Sequence, residues 1–304
     1  MVEGAGTANE LFTVVGAVVS NDKIRNKKKH GNIPRRGKPV ISMLILGLIV
    51  SGCLLAPWVA NHDPDGFYLT ALNTPPNGEF YFGTDALGRD LYSIMFYGGR
   101  TSLAIGLLGA AIIALIGTIY GCLSGTLPDR ADAVMMRIAE TGGSIPTLLM
   151  VLILSAIIPE KNIVTLSFII GITGWFGMAR IVRSEVRQIR NCEYVLYARS
   201  SGGSFFYVMW HHLLPNFLSA IMFVVVSNVS TCITMESTLS FLGLGLPVDV
   251  LSWGSMLSLA NRALIMNTWW VIVIPGLFLV VTLLCITNVA DYLRREVNRQ
   301  PSHL

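Results

Sequence analysis

The chain has 304 residues, 53% of them hydrophobic and 13% charged, with a mean hydropathy of +0.60, whereas soluble domains carry about 25% charged residues. That balance excludes an ordinary soluble domain and points to an integral membrane protein. The net charge of +4 follows from a one-sided placement of Lys and Arg described below, so no nucleic-acid partner is expected.

In chain order, uncharged runs of spanning length occupy Val40 to Ala60, Thr101 to Leu127, Thr141 to Pro159, Asn162 to Ala179, Leu213 to Met235 and Ala263 to Ala290. About 20 apolar residues cross a hydrocarbon core of roughly 30 Å. Isolated strands leave backbone groups unpaired in lipid, and period-2 alternation is absent, so the runs read as helices. The expected fold is all-α, a polytopic bundle of six transmembrane helices. The first run is too long for a cleavable signal peptide and is followed by Pro-Trp and an acidic loop, so it is expected to stay as an anchor.

Lys and Arg orient the bundle. The N-terminal tail, the segment between runs two and three, the segment after run four and the C-terminal tail together hold eighteen, against Arg89, Arg100, Lys161 and Arg262 in the alternate segments. The positive-inside rule therefore predicts both termini in the cytoplasm. Residues 1–39 read as a basic cytoplasmic tail that sets topology or touches anionic headgroups. Its mildly apolar Leu11 to Val19 stretch is too short to span. Cys53, Cys122, Cys192, Cys232 and Cys285 are scattered, four of them within apolar runs, and read as small packing residues with no disulfide and no metal spacing.

GTDALGRD, Gly83 to Asp90, is a near miss to the phosphate loop G-x-x-x-x-G-K-[ST], with Arg89 at the Lys position and Asp90 at the hydroxyl position. Its predicted extracytoplasmic side also argues against ATP binding. The segment reads as a turn and a capped amphipathic helix leading into run two, with Thr84 or Asp85 as cap. Gly117, Gly121 and Gly125, four residues apart, clear one helix face for close packing. His211 and His212 are adjacent and point about 100° apart on a helix, so they cannot share a metal.

Glu236 lies at the end of run five. A carboxyl at mid-membrane costs about 2.5–3.5 kcal/mol on insertion scales, and such residues often mark a pathway; a helix-end carboxyl bonded to nearby backbone is the equally weighted alternative. With Leu239 and Phe241 it forms the candidate pathway or gate set. The apolar Leu239 to Pro247 stretch is too short to span and reads as re-entrant or as a plug.

The remaining feature is YVLYARSSGGSFFYVMWHHLLPN, Tyr194 to Asn216, a Gly-centred, cation-flanked insert between runs four and five. Leu196, Tyr197 and Ala198 are followed by Gly202 and Gly203 and then by Leu213, Leu214 and Pro215. In this spacing the chain resembles the permease subunits of binding-protein-dependent ABC importers, whose cytoplasmic motif is E-A-A, a Gly three residues on, and I-x-L-P about ten residues later. ANHDP, FGTDALGRDLYS, GGRTSLAIG, DAVMMRIAE, SIPTLL, MARIVR, ESTLSFLGLGLP, SWGSML and IPGLFLVVTLL look like segments of the C-type subunits of the oligopeptide, dipeptide and nickel family, in the family's order. The resemblance covers about Leu44 to Asn298.

The resemblance implies a MetI-like type I importer fold. Its expected parts are a first transmembrane helix at 40–60, an extracytoplasmic segment at 61–97, a permease domain at 98–292 with a coupling loop at 190–216, and a cytoplasmic tail at 293–304. It further implies a prokaryotic cytoplasmic membrane, a B-type permease partner, two cytoplasmic ATPases and an extracytoplasmic binding protein. ATP and Mg would bind in the ATPases, with no cofactor, metal or catalytic site in this chain. The ATPase-docking residues would be Leu196, Tyr197, Ala198, Gly202, Gly203, Leu214 and Pro215. Leu196 and Tyr197 replace the family's usual Glu-Ala, so either apolar contacts stand in for that charge or coupling is weaker. Oligopeptides are the expected cargo, with dipeptides and nickel chelates as alternatives. An ion-coupled secondary transporter is the reading from another class; it would favour buried ionisable residues or broken helices in matching halves.

Overall fold

The computed structural model describes residues 38–158, 160–190, 192–202, 207, 214–247 and 249–297. The basic tail up to residue 37 and its Leu11 to Val19 stretch, His211, His212 and residues 298–304 lie outside the described residues. Among those described, the elements are helical: α1 Val40–Leu54, α2 Ala56–Val59, α3 Leu91–Thr126, α4 Asp129–Gly143, α5 Thr147–Ile157, α6 Ile163–Ile189, α7 Glu193–Ser200, α8 Leu214–Phe241, α9 Trp253–Leu257, α10 Ala260–Ile265 and α11 Trp270–Val297. α3, α6, α8 from Ile221, and α11 are long and apolar enough to cross a membrane. α4 and α5 form a pair bent by 79°, and α1 is a shorter apolar helix. The six runs thus fall on four long helices, one bent pair and α1.

The helix ends differ from the uncharged runs in a consistent way. α3 starts ten residues before the run at Thr101, because Asp90 caps it by accepting from the Ser93 N–H at 2.9 Å. Its first turns bury Leu91, Ile94 and Met95, and the exposed Arg100, which bounds the uncharged run, does not interrupt the helix. α6 continues past Ala179 to Ile189 with Ala179, Val182 and Val186 buried on one face. α8 continues through Glu236 to Phe241, where Gly243, at φ 75°, takes the left-handed conformation that closes a helix C-terminus. Leu239 to Pro247 is therefore a helix end followed by a loop. The last run begins in α10, and the chain turns at Asn267, φ 55°, before α11 starts at Trp270.

The third run is not one straight span. Gly142 lies against the Phe176 ring, where a Cβ would meet ring carbons at 2.5 Å. Pro146 follows, disfavouring helix at Ile145 and removing a donor. The 11 residues of α5 reach only about 16 Å at 1.5 Å per residue. α4 carries Asp129, Arg130, Asp132, Arg137 and Glu140, all ahead of the uncharged run that begins at Thr141.

The GTDALGRD segment forms no helix and is capped by neither Thr84 nor Asp85. It is a knot at the head of α3. The Asp85 carboxylate accepts from the N–H groups of Leu87 and Arg89 and pairs with Arg89 Nε at 2.8 Å, the two bonds from Arg89 being buried. Trp270 Nε1 at the start of α11 donates to the Thr84 carbonyl at 3.0 Å. The glycine that would have cradled phosphate, Gly83, stands at φ 76°, and a Cβ there would meet the Thr74 carbonyl at 2.6 Å.

α3 packs along α6 over most of its length. At Gly117, Gly121 and Gly125 added Cβ atoms would meet Met178, Ala179 and Val186 at 2.8 Å or less. These glycines set the separation of the two longest-packed helices. Gly121→Ala is expected to cost about 2 kcal/mol by overpacking, because its Cβ would lie 2.5 Å from the Ala179 backbone oxygen. A thermal scan of the purified protein giving an unchanged midpoint would count against this packing.

Candidate functional site

The connection between α6 and α8 is built on α7. Its start is a turn, with the Cys192 N–H donating to Ile189 O and the Val195 N–H to Cys192 O, both at 3.0 Å. Val195 is fully buried in the apolar cluster that also holds Phe217, Val182 and Val186, and Ile189 and Ala198 pack against it. Three residues apart on one helix face, Val195 and Ala198 hold α7 to the bundle. Tyr197 points the other way and is 76% exposed. Gly202 has φ 84°, and nothing lies within 4 Å of a Cβ built on it. Within the chain its glycine is therefore required by conformation and not by crowding. Gly203 and the side chains of Leu196, Leu214 and Pro215 lie outside the described residues.

α6, which carries α7, is clamped at the same end. Asp132 of α4 is 2% exposed and accepts from Arg183 Nε at 3.0 Å and from the second Arg183 nitrogen. Ser124 of α3 donates to the same carboxylate. Arg187 lies 2.8 Å from Asp132 and 2.6 Å from Asp129, and Arg190 donates to the Gly125 carbonyl at 2.8 Å. The hydrogen bond from Arg183 holds the Asp132 carboxyl below its ordinary value, against the opposing effect of burial. Three of the arginines after run four thus join α6 to α3 and α4. Sequence inspection missed this cluster, although DAVMMRIAE and MARIVR each carry one of the charges.

Glu236 is fully buried near the end of α8. Its Oε1 accepts from Ser252 at 2.8 Å and Ser240 at 3.0 Å, and its Oε2 from Ser102 at 3.2 Å and Ser237 at 3.3 Å. Its partners are hydroxyls from α3, α8 and the segment before α9, not backbone. Ser102 accepts in turn from the Trp253 N–H at 3.1 Å. Gly254 makes room, since a Cβ there would come within 2.9 Å of Oε1. Leu239 is buried in the same apolar cluster as Val195, whereas Phe241 is half-exposed. The three candidate gate residues therefore do not share one surface.

Among the described residues no cluster of three or more His, Cys, Asp or Glu is placed to hold a metal. Residues 117–299, which contain the C-terminal end of α3, the Asp132 cluster, α7 and Glu236, match the family described as "Binding-protein-dependent transport system inner membrane component". The chain belongs to this family. As a transport-system membrane component it is 37% identical to the oligopeptide transport system permease protein OppC of Bacillus subtilis over 255 residues, 84% of this chain and 83% of that protein. It is 37% identical to the dipeptide transport system permease protein DppC of the same organism, over 83% of this chain and 78% of the relative. It is also 36% identical to the OppC of Haemophilus influenzae, over 86% and 84%. In this family member, α7 and the clamp behind it form one continuous piece of structure, from the exposed Tyr197 to the interior of the bundle.

Proposed function

We propose that this chain is the C-type permease subunit of an ATP-driven, binding-protein-dependent peptide importer in a prokaryotic cytoplasmic membrane. Its similarity along 84% of its length to an oligopeptide permease carries this reading. On this reading it crosses the bilayer six times with both termini in the cytoplasm and pairs with a B-type permease. Two ATPases bind inside and a substrate-binding protein docks outside. ATP and Mg reside in the ATPases. Oligopeptides are the preferred cargo; the equal identity to a dipeptide permease supports dipeptides as the second reading.

The mechanism follows from how α7 is attached. A helix pinned by Val195 and Ala198 on its inner face, with Tyr197 outward, presents its outer face to a groove on an ATPase. Movement of that groove displaces α7. Because α6 runs into α7 and is clamped to α3 and α4 through Asp132, the displacement passes into helices that cross the membrane. Peptide passes between the two permeases by alternating access as those helices tilt. With Leu196 at the family's acidic position and an outward tyrosine at 197, the contact is apolar.

Exposed interface aromatics are worth about 1–3 kcal/mol when buried on a partner, so Tyr197→Asp is expected to weaken ATPase retention ten- to hundredfold. Gly202→Asp is expected to act in the same direction, adding left-handed strain and a charge. The measurement is ATPase co-purification together with ATP-dependent peptide uptake in proteoliposomes. Both variants retaining wild-type uptake would remove α7 as the docking element. Wild-type complex driven by an ion gradient without ATP would instead favour a secondary transporter.

A further inference from the structure

A cavity of about 370 Å³ opens between α5, α8 and α11. Its polar lining is Ser230, Thr231, Thr234 and Thr238 of α8 and Thr287 of α11; Leu148 of α5 and Leu283 of α11 form apolar walls. No charged residue lines it. Thr231 and Thr234 are exposed, and Ser230 and Thr238 partly so.

Two stripes of similar helical spacing have opposite chemistry. On α11, Val273, Leu277, Val280 and Leu284 are all exposed hydrocarbon, which suits lipid. On α8 the residues at 227, 230, 231, 234 and 238 are all Ser or Thr. Hydrocarbon tails offer hydroxyls no partner, so a lipid-facing surface gains nothing from such a stripe.

The hydrogen bonds set what the hydroxyls can still offer. Thr231, Thr234 and Thr238 each donate to the carbonyl four residues earlier, at 3.2, 2.8 and 2.7 Å. Thr287 donates likewise to Leu283 O at 2.8 Å. Their protons are used within the helix, and their oxygen lone pairs remain as acceptors. Ser230 differs: its enclosed Oγ has no partner, so both its proton and its lone pairs are unused. A row of acceptors with one free hydroxyl, and no charge, matches a chain of neutral N–H and C=O groups. From Thr231 to Thr238 the helix rises about 10 Å at 1.5 Å per residue, close to three residues of extended peptide at about 3.3 Å each.

We propose that this hydroxyl-lined groove is the surface on which a peptide main chain rests as it crosses the membrane, its N–H groups donating to Thr231, Thr234 and Thr238 and one of its polar groups meeting Ser230. Neutral hydroxyls read the repeating backbone and ignore side-chain charge, so the groove accepts peptides of varied sequence. A metal chelate finds no charged partner there. The proposal rests on the peptide-importer reading and assigns it a residue-level path.

The test uses the assembled complex in proteoliposomes with its binding protein and ATP. Uptake of an alanine tripeptide or pentapeptide by the wild-type complex is measured first; absence of any uptake would fail the importer reading itself. Thr234→Cys and, separately, Thr231→Cys are then treated during turnover with a water-soluble maleimide, with Leu284→Cys for comparison and the wild-type cysteines as background. Both groove positions are expected to label at least tenfold faster than Leu284→Cys and to be slowed threefold or more by saturating transported peptide. Labelling no faster than at Leu284→Cys would show hydrocarbon or a partner subunit covering the stripe. Labelling that peptide leaves unchanged would show water without peptide. Either result overturns the proposal.

Discussion

Replacing Glu236 with leucine is expected to destabilise the folded protein by about 3 kcal/mol or more, whereas Glu236→Gln is expected to remain close to wild type. Glu236 gathers four hydroxyls, from Ser102, Ser237, Ser240 and Ser252, in a site closed to solvent. Ser237 and Ser240 sit on α8 and can turn their protons to carbonyls of their own helix. Ser102, inside α3, has the same recourse, but Ser252, the residue that caps α9, follows no helical turn whose carbonyl could take its proton. Leucine leaves the Ser252 proton buried without an acceptor, at about 1–3 kcal/mol, and forces the other three hydroxyls off the bonds they now make. Glutamine keeps one acceptor oxygen, and its amide protons meet hydroxyls that can reverse direction. Thermal unfolding of the purified complex checks the order. A leucine variant as stable as wild type would refute the structural role. A glutamine variant that is stable yet loses tenfold or more in uptake would assign the carboxyl a part in transport itself.

Asp132→Ala is the second large effect expected, at about 3 kcal/mol or more. The substitution strands Arg183 beside a buried surface and removes the carboxylate that joins α3, α4 and α6. Arg187 keeps Asp129, which is largely exposed, so it recovers little. Removing the stranded charge as well, in Asp132→Ala with Arg183→Met, is expected to restore part of the loss, giving a coupling of about 2 kcal/mol in a double-mutant cycle. Purely additive losses would mean the two residues act separately. Acid gives an independent check. The folded-state value of Asp132 lies below its ordinary value, so this stabilisation is complete above that ordinary value. It is lost as pH falls from there through the folded value. The wild-type midpoint is therefore expected to drop in this acidic window more steeply than that of Asp132→Asn.

Both effects sit where sequence patterns stop being informative. DAVMMRIAE contains Asp132 and MARIVR contains Arg183, yet their partnership spans 51 positions, and nothing local distinguishes such an arginine from one left in water. Glu236 invites a pathway reading because a carboxyl in an apolar run is costly unless paired. Its remote partner Ser102 lies 134 positions away and is an unremarked serine in GGRTSLAIG. The glycine spacing at 117, 121 and 125 was readable as a packing face, since the requirement for close approach is written in the residue itself. Which helix approaches, and at which atoms, was not.

By itself the sequence determined that the chain is a helical membrane protein, where its apolar segments lie, and which connecting loop resembles a coupling element. Hydrocarbon thickness and backbone hydrogen bonding act on each segment independently, so local composition suffices. Only the tertiary structure decided where α3, α6 and α8 begin and end, that the third run bends at Gly142 to Pro146, and that Gly202 is required by its φ of 84°. It also decided that Tyr197 faces outward while Val195 and Ala198 hold α7 to the bundle. Those outcomes depend on charges and hydroxyls finding partners from distant parts of the chain. A buried polar group is tolerated only when such a partner is present, and no single segment records whether it is.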